Sequence, residues 1–396
     1  MLLCYIFSLI VVFQFYYEYL NHLLFEKIKI IIFLFSLYMS QLAKFYNKIF
    51  DYSLKRGTHI KFVDMIRYRN VNSNNIIPIM TKHIYNEIPI RLAKRVTDLN
   101  SLPFGLSKNH SINRIREWYL LSFEELTQVK EPRTNSDIID FKNKISTIYD
   151  RHSTTLSTIS KGLYELQLEN KINDIEAPVI QLFLNKFHKN RTEIRILLEQ
   201  YLSFFDPPKG SNFYGIINLE SNVESILHNT INNIQLICDS NGIDLHLNSI
   251  IKLNIHNKIV IPTIDHYMYY ILFEILKNSV EAVRHKSNPS IEVTIKEIDE
   301  DWILIKIQDN GSGIHEKDID KIWYYSYTTH PINTSEIVEQ TDFSIKSPLS
   351  GFGYGLPISE IYINFFNSSA HNIKIDSNNK RTNVYIYLRN IRLACV

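Results

Sequence analysis

FEILKNSVEA, residues 273–282, places a thin polar stripe on a helix that is otherwise apolar. In a helix, the side chains at positions i, i+3, i+4 and i+7 share one face. The residues at those positions are Glu274, Lys277, Asn278 and Glu281, and Tyr270 lies one turn earlier on the same arc. A carboxylate, an ammonium and an amide on one face can line a cleft or form a solvated edge. The segment alone leaves both interpretations open.

The composition of the 396-residue chain is that of an ordinary globular protein, with 45% hydrophobic and 21% charged residues. This length predicts two domains and an extension. The formal net charge of +2 gives no support for a nucleic-acid partner or an acidic substrate. The cysteines, Cys4, Cys238 and Cys395, are too far apart for a metal motif or a disulfide framework, which fits a reducing compartment.

An apolar extension occupies residues 1–51. Residues 2–17 are near the short limit for a membrane span, and residues 30–39 are too few to span alone. From Met39 onward, lysines and aromatic residues at helical spacing are compatible with a mitochondrial presequence. A targeting segment, an over-extended gene model and a membrane anchor all remain open. We expect residues 1–38 to be absent from the mature protein.

Amphipathic helical patterns fill residues 52–206, which we predict to be a helical domain. Its main segments are Glu87–Leu99, Ile112–Val129, Ile138–Leu168 and Pro178–Phe204. Long helices joined by short loops predict an antiparallel four-helix bundle. Because proline cannot continue a helix, Asp206-Pro-Pro-Lys-Gly210 is the expected domain boundary.

Strand patterns first occur in residues 211–396, which we predict to be the second domain. A helical pattern at residues 220–241 precedes them. The predicted strands are residues 251–261, Ser290–Ile298, Trp302–Gln308, Asn372–Asp376 and Asn383–Leu388. Helices and mostly antiparallel strands segregated in this way predict a two-layer α/β sandwich, so the whole chain is predicted to be of the α+β class.

Two glycine-rich loops stand out in the second domain. Asp309-Asn-Gly-Ser-Gly313 follows a predicted strand, where a carboxylate can reach an exocyclic amino group and glycines let the backbone pass close to a ring. Gly351-Phe-Gly-Tyr-Gly355 precedes an apolar helix, and a helix N-terminus suits phosphates. A plain turn and a glycine-rich linker are the respective alternatives. Residues 314–350 between the loops have the length of a lid.

The order of these features resembles the ATP-binding fold shared by gyrase, histidine kinases, mismatch-repair ATPases and a heat-shock chaperone, the GHKL type. That order is a helix with Glu and Asn, then D-x-G-x-G at a strand end, then a lid, then G-x-G-x-G before a helix. The resemblance implies that Asn278 coordinates Mg²⁺ and that Asp309 holds the adenine of ATP. It also implies that Gly351–Leu356 covers the phosphates.

The residues within these motifs resemble those of the mitochondrial α-keto acid dehydrogenase kinases more closely than those of the other GHKL proteins. FEILKNSVEA is similar to that family's Glu-Leu-Phe-Lys-Asn-Ala-Met-Arg-Ala helix, and GFGYGLPIS is similar to its phosphate loop. Tyr325-Ser-Tyr-Thr-Thr329 resembles its lid segment, and the resemblance covers roughly residues 52–392. The ATP-binding residues that it implies are Glu274, Ile275, Leu276, Lys277, Asn278, Ser279, Val280, Glu281, Asp309, Gly311, Gly313, Thr328, Thr329, Gly351, Phe352, Gly353, Tyr354, Gly355, Leu356 and Thr382.

The resemblance also assigns catalytic roles. Glu274 would take the proton from the substrate hydroxyl or orient it, and Lys277 would steady phosphate charge or Glu274 itself. Tyr270 stands where the pyruvate-type kinases have a histidine, and its hydroxyl could orient Glu274. A sensor histidine kinase would instead need a phosphoacceptor in a dimerising hairpin. His152 is the only candidate, and its sequence context matches the keto-acid kinases.

Some features depart from the family pattern. Tyr270 and Thr328-Thr329 look like the branched-chain members, whereas Phe273 and the glycine loop look like the pyruvate-type members. Glu281 replaces an arginine and adds negative charge near the triphosphate. The sequence ends soon after the last strand, so we expect binding of the lipoyl domain to be weaker or different.

The function that the resemblance implies is an ATP-dependent protein serine kinase. It would phosphorylate and inactivate the dehydrogenase (E1) component of a pyruvate or branched-chain α-keto acid dehydrogenase complex. Mg²⁺, a homodimer, docking to the lipoyl domain of the acyltransferase (E2) core and a place in the mitochondrial matrix are also implied, with no nucleic acid as a partner. The alternatives are a non-catalytic ATP-binding scaffold of the complex and, less favoured, a GHKL-type ATPase.

Overall fold

The computed structural model describes residues 27, 29, 31–70, 73–102, 106–168, 177–206, 210, 212–329, 353–369, 372–378 and 380–392. Within these ranges, no helix combines the length and the apolar character that crossing a membrane requires. The chain divides into two compact units, residues 1–55 and 56–396. In the first unit, residues 31–54 form helix α1. The apolar segment predicted at residues 2–17 lies outside the described residues.

Helices make up the first part of the second unit. They are α2 (Phe62–Arg67), α3 (Ser73–Asn100), α4 (His110–Gln128), α5 (Asn135–Arg151), α6 (Thr155–Leu168) and α7 (Pro178–Ser203). Helix α3 packs on α4 and α7, α4 packs on α6, and α5 packs on α7. Apolar side chains such as Leu92, Phe123 and Phe187 are fully buried among them. The predicted helical region is therefore confirmed.

Two helix predictions were wrong in extent. The expected single helix at Ile138–Leu168 is broken at residues 152–154, where the Thr155 hydroxyl donates a hydrogen bond to the His152 carbonyl (2.9 Å). Hydroxyl side chains that bond to nearby backbone favour helix ends, which the apolar spacing does not reveal. Helix α3 begins at Ser73 rather than Glu87, and it continues through Pro78 and Pro89, which normally interrupt helices.

The second part of this unit contains eight strands and four helices among the described residues. The strands are β1 (Phe213–Tyr214), β2 (Ile217–Asn222), β3 (Ile251–Ile255), β4 (Val260–Thr263), β5 (Ile291–Glu297), β6 (Trp302–Asp309), β7 (Ile373–Asn378) and β8 (Arg381–Arg389). The helices are α8 (Val223–Ser240), α9 (Leu247–Ile250), α10 (Asp265–Val283) and α11 (Gly355–Asn367). One sheet has the order β3-β5-β6-β8-β7, with only β3 and β5 parallel, and β1-β2-β4 form a small antiparallel sheet.

Helices α8, α10 and α11 pack together, and α10 and α11 lie on β6 and β8. This arrangement confirms the predicted two-layer domain. The expected strand at residues 251–261 is instead two strands, β3 and β4, which belong to different sheets. The expected helix at residues 220–241 begins at Val223, because the Asn222 side chain accepts bonds from the first free backbone N–H groups. Strand β2 was missed, since a register shift between Asn218 and Ser221 interrupts its alternation.

The alternation of β6 determines where its last residue lies. Ile303, Ile305 and Ile307 are fully buried, and the residues between them are only partly buried. Period-two alternation then places Asp309 on the same buried face at the end of the strand. In register, Asp309 lies opposite Ile291 of β5 and Thr382 of β8.

Candidate active site

A cavity of about 750 Å³ is lined by α10, the end of β6, the N-terminus of α11 and strands β7 and β8. The polar stripe of α10 therefore faces a cleft rather than a solvated edge. The predicted site residues on its wall are Glu274, Ile275, Asn278, Ser279, Glu281, Asp309, Gly313, Thr328, Thr329, Gly353, Gly355, Leu356 and Thr382. Sequence motifs that are up to about a hundred positions apart thus meet at one cavity.

Other predicted residues lie behind the cavity wall. Leu276 and Val280 are fully buried on the opposite arc of α10, because the apolar arc is the one that packs the helix into the domain. Tyr354 is also buried, with its hydroxyl accepting a hydrogen bond from Ser326 (3.1 Å). These three side chains do not line the cavity, and their assignment to the ATP site stays a prediction. Gly351 and Phe352 lie outside the described residues, as does most of the expected lid at residues 314–350.

Glu274 and Lys277 form an ion pair at the edge of the cavity. The Lys277 Nζ lies 2.9 Å from both Oε1 and Oε2 of Glu274. The side chain of Lys277 is only 2% exposed, and its ammonium also lies 5.4 Å from the centre of the Phe273 ring. Lys277 does not line the cavity, so it holds Glu274 rather than facing a ligand directly.

The carboxylate of Glu274 lies against the first residue of α11. A Cβ atom added to Gly355 would be 2.2 Å from Glu274 Oε2, so this approach requires glycine at position 355. The N-terminus of a helix has a partial positive charge, which favours anionic groups. The carboxylate thus sits between an ammonium and a helix N-terminus, on the wall of the cavity.

Tyr270 is buried one turn before Glu274 and does not line the cavity. Its ring packs edge-on against Tyr362 of α11, with ring centres 5.4 Å apart. Tyr362 also stacks on Tyr267, with centres 4.3 Å apart and planes 10° apart. Tyr270 is therefore part of the aromatic contact between the two helices that border the site.

Asn278 and Glu281 continue the polar stripe beyond Glu274. The Asn278 side chain is exposed on the cavity wall, so its amide is accessible to a ligand. Glu281 pairs with Arg284, with Nη1 and Oε2 3.1 Å apart. This pair offsets part of the negative charge that Glu281 adds.

Asp309 is buried at the end of β6 and accepts hydrogen bonds from its neighbours. Ser279 Oγ donates to its Oδ2 (3.3 Å), and the Gly311 N–H donates to its Oδ1 (2.9 Å). Burial raises the pKa of Asp309, and the bonds from Gly311, Ser279 and the Thr382 backbone oppose part of that rise. A buried carboxylate with a free lone pair can accept a hydrogen bond from an exocyclic amino group.

Two glycines of the Asp309 loop allow close backbone contacts. Gly311 passes so near α10 that a Cβ would be 2.7 Å from the Ala282 Cβ. Gly313 has a φ of +74°, and a Cβ there would overlap the Asn378 carbonyl of β7. A plain solvent-exposed turn would need neither contact, so the close-approach interpretation of this loop is the one that the geometry favours.

The sequence did not single out several residues on the wall. They are Ala282, Arg284, His285, Lys286, Ser312, Ile314, Ile322, Tyr327, Pro357, Ile375 and Val384. Arg284, His285 and Lys286 directly follow the polar stripe of α10 in the sequence. That position was the one available signal that they would border the cavity. Ile375 and Val384 are paired across β7 and β8, and nothing in a single alternating strand tells which pair will border a cavity.

His152 does not have the surroundings of a phosphoacceptor. It is buried, its Nε2 lies 3.0 Å from Ser122 Oγ, and its ring lies 4.4 Å from that of Tyr119. Burial, together with the charges of Arg191, Arg151 and Arg195, lowers the pKa of His152 to about 3. This histidine is therefore neutral and inaccessible at physiological pH.

Comparison with known families covers both parts of the second unit. Residues 59–218 match the family described as mitochondrial branched-chain alpha-ketoacid dehydrogenase kinase. Residues 265–391 match the histidine kinase-, DNA gyrase B- and HSP90-like ATPases. A mitochondrial pyruvate dehydrogenase (acetyl-transferring) kinase from Ascaris suum is 31% identical over 319 residues, which cover 77% of each chain. The chain belongs to the mitochondrial α-keto acid dehydrogenase kinase family.

Two further relatives extend the comparison. Human pyruvate dehydrogenase (acetyl-transferring) kinase isozyme 1 is 30% identical over 298 residues, covering 71% of this chain and 66% of the human protein. The mitochondrial enzyme of Arabidopsis thaliana is 26% identical over 341 residues, covering 84% of this chain and 90% of its own. Membership of the α-keto acid dehydrogenase kinase family makes this chain a protein kinase with an ATP-binding domain, as predicted.

Proposed function

We propose that the chain is an ATP-dependent protein serine kinase that phosphorylates and inactivates the E1 component of an α-keto acid dehydrogenase complex. The observation that most supports this function is the pairing of Glu274 with Lys277 beside the N-terminus of α11. This arrangement presents a carboxylate at a cavity where a substrate hydroxyl and a phosphate chain can meet. The names of the relatives favour pyruvate dehydrogenase as the substrate.

The residues on the wall support a direct transfer of phosphate. The serine hydroxyl oxygen attacks the γ-phosphorus, the bond from that phosphorus to the bridging oxygen of ADP breaks, and the hydroxyl proton passes to Glu274. Lys277 holds the carboxylate in place beside Gly355 for this step. Phosphoryl transfer depends mainly on such positioning and on electrostatic stabilisation.

Mg²⁺ fits the donor atoms of the site. Magnesium prefers oxygen ligands, and Asn278 presents an accessible amide oxygen on the cavity wall one turn after Glu274. When bound with ATP, the ion would neutralise charge on the phosphates. Asn278→Ala should weaken the Mg²⁺-dependent part of ATP binding, which calorimetry with and without the ion would measure. Equal ATP affinity of variant and parent at saturating Mg²⁺ would contradict this role of Asn278.

The remaining assignments rest on membership of the family. They are a homodimer, docking to the lipoyl domain of the E2 core, and a location in the mitochondrial matrix. The relatives' names call them mitochondrial, which supports the organelle.

The decisive experiment assays the purified chain with radiolabelled ATP on pyruvate dehydrogenase and branched-chain dehydrogenase side by side. We expect label on serine, and loss of dehydrogenase activity, with pyruvate dehydrogenase. Label on the branched-chain enzyme alone would change the assigned substrate and leave the proposed phosphoryl transfer unchanged. ATP binding without transfer to either protein would replace the kinase by a non-catalytic scaffold.

A further inference from the structure

Helix α7 belongs to the helical part of the chain, yet it contacts the segment that ends at the ATP cavity. We call this segment, Tyr325–Thr329, the threonine segment. The Tyr325 N–H donates to Gln181 Oε1 (2.7 Å), and Gln181 Nε2 donates to the Tyr325 carbonyl (3.2 Å). One side-chain amide thus binds both backbone polar groups of one residue. Such a pair fixes the orientation of the backbone as well as its distance from α7.

Two further residues of α7 hold the ring of Tyr325. The Tyr325 hydroxyl donates to Asn185 Oδ1 (3.3 Å), and the His188 ring stacks on the tyrosine ring with centres 4.9 Å apart. Gln181, Asn185 and His188 are spaced i, i+4 and i+7, so they share one face of α7. Tyr325 is only 3% exposed. The start of the threonine segment is therefore buried against α7.

The threonine segment then passes Gly353, which lies just before α11. Ser326 has a φ of +62°, which is unfavourable for a residue other than glycine and needs support from its surroundings. A Cβ on Gly353 would lie 2.3 Å from the Tyr327 carbonyl oxygen, so the two loops are in direct contact. Thr328 and Thr329 come next and line the cavity. Their place on the wall therefore depends on how Tyr325 is held.

We propose that Gln181 is a positioning residue that sets the affinity for ATP by fixing the threonine segment. This inference rests on the proposed ATP-dependent function. It assigns a nucleotide-site role to a residue that does not line the cavity and lies in the helical part of the chain. The alternative is that the Gln181 contact contributes only to the stability of the fold.

The chain offers a matched control at Gln235 of α8. Gln235 Nε2 donates to the Leu245 carbonyl (2.9 Å), and Oε1 accepts from the Leu247 N–H (2.7 Å). Neither Leu245 nor Leu247 lines the ATP cavity. Gln235 Nε2 also donates to Asp239 Oδ1 on its own helix (2.7 Å). Gln181→Met and Gln235→Met each remove an amide that bonds a backbone N–H and a backbone carbonyl of another segment, while keeping a side chain of similar size.

The test measures ATP binding by calorimetry, the KM for ATP, kcat at saturating ATP, and thermal stability. Losing two hydrogen bonds should raise the dissociation constant and the KM for ATP about 5- to 30-fold in Gln181→Met, with kcat nearly unchanged. Gln235→Met should lose similar thermal stability and keep parental ATP affinity. Parental affinity in Gln181→Met, or an equal loss in both variants, would overturn the proposal.

A second variant covers the case in which Gln181→Met does not fold. Gln181→Glu keeps the acceptor for the Tyr325 N–H and loses the donor to its carbonyl, so the KM for ATP should rise about 2- to 5-fold. Parental affinity in this variant would also refute the proposal. A parent protein that binds no ATP would refute the proposed function itself, which is a different result from a parent and a variant that bind alike.

Discussion

Two glutamates of this chain each pair with a cation on their own helix, Glu199 with Arg195 and Glu274 with Lys277. Glu199 receives four donors: the Tyr149 hydroxyl (2.5 Å) and Arg195 Nη2 (2.9 Å) on Oε1, and the Tyr267 hydroxyl (2.6 Å) and His266 Nε2 (3.2 Å) on Oε2. Glu274 is bonded to Lys277 alone among the side chains of the described residues. Glu199 borders a cavity of about 310 Å³, and Glu274 borders one of about 750 Å³.

The two carboxylates differ in their capacity to accept a proton. Burial alone would raise the pKa of Glu199, but the bond from His266, the charges of Arg195 and His266, and the bond from Tyr149 lower it to about 2. A carboxylate with four donors and so low a pKa is a poor proton acceptor. Glu199 joins α7 to the start of α10, whereas Glu274 remains accessible for chemistry. A similar ion pair thus stabilises the fold in one place and borders the proposed reaction site in the other.

The largest expected effect separates the two glutamates by rate. Glu274→Gln keeps the size and a hydrogen-bond acceptor but cannot take a proton at neutral pH. Phosphorylation of the dehydrogenase should fall about 10²- to 10⁴-fold, while Mg-ATP binding is kept. Glu199→Gln is the matched control and should keep the rate constant at saturating ATP. A parental rate in Glu274→Gln would rule out this residue as the base.

The next effect separates them by stability. The folded pKa of Glu199 is about 2, below its ordinary value of 4.5, so its contribution to stability is present above pH 4.5 and lost as the pH falls towards 2. That contribution is about 3 kcal/mol. Denaturant unfolding between pH 5 and pH 2 should show a shallower loss of stability in Glu199→Gln than in the parent. An unchanged pH dependence in Glu199→Gln would contradict the comparison.

A third effect concerns Asp309, a buried carboxylate whose pKa is raised rather than lowered. Asp309→Ala should weaken ATP binding by about 1–3 kcal/mol, because the adenine amino group loses its acceptor. In the parent, ATP affinity should fall as the pH decreases through the raised pKa of Asp309, and the alanine variant should lack this dependence. Calorimetry across the acidic range measures both. If the variant bound ATP like the parent, Asp309 would not hold the adenine.

The smallest expected effect concerns Tyr270, which packs against Tyr362 one turn before Glu274. The structure shows no hydrogen bond between Tyr270 and Glu274, so only an orienting role during the reaction would let Tyr270→Phe lower kcat, by about 2- to 5-fold, without changing ATP affinity. The phenylalanine ring keeps the edge-on contact, so stability should be retained. An unchanged kcat would assign Tyr270 to packing alone.

The fold was predictable where a local pattern decides it. Strict alternation placed β5 and β6, and three- or four-residue spacing placed the bundle helices. The boundaries that failed depend on side-chain hydrogen bonds, such as those of Asn222 and Thr155, and on the bulge in β2. Spacing of apolar residues contains no information about these contacts. The division of residues 251–261 between two sheets is a tertiary choice, which no local pattern shows.

The site was predictable from the order of its motifs, and its inner geometry was not. From the sequence, Lys277 could contact either phosphate or Glu274. The structure favours Glu274, because the Lys277 side chain is buried and paired with that carboxylate. Tyr354 lies within the phosphate-loop motif, yet its ring contacts His188 of α7, with centres 5.4 Å apart. That contact joins residues far apart in the chain, so motif reading alone assigns Tyr354 to the ligand.

The contact between Gly355 and Glu274 bears on how natural variants of this chain should be ranked. Replacing glycine by alanine in a helix usually improves helix propensity and counts as one of the mildest changes. At position 355 the added methyl group would occupy the place of the Glu274 carboxylate, 2.2 Å from its oxygen. A scale based on side-chain similarity would score such a variant as harmless. The alanine Cβ would displace the carboxylate of Glu274, the proposed base. A protein with Gly355→Ala would then be folded and abundant but inactive.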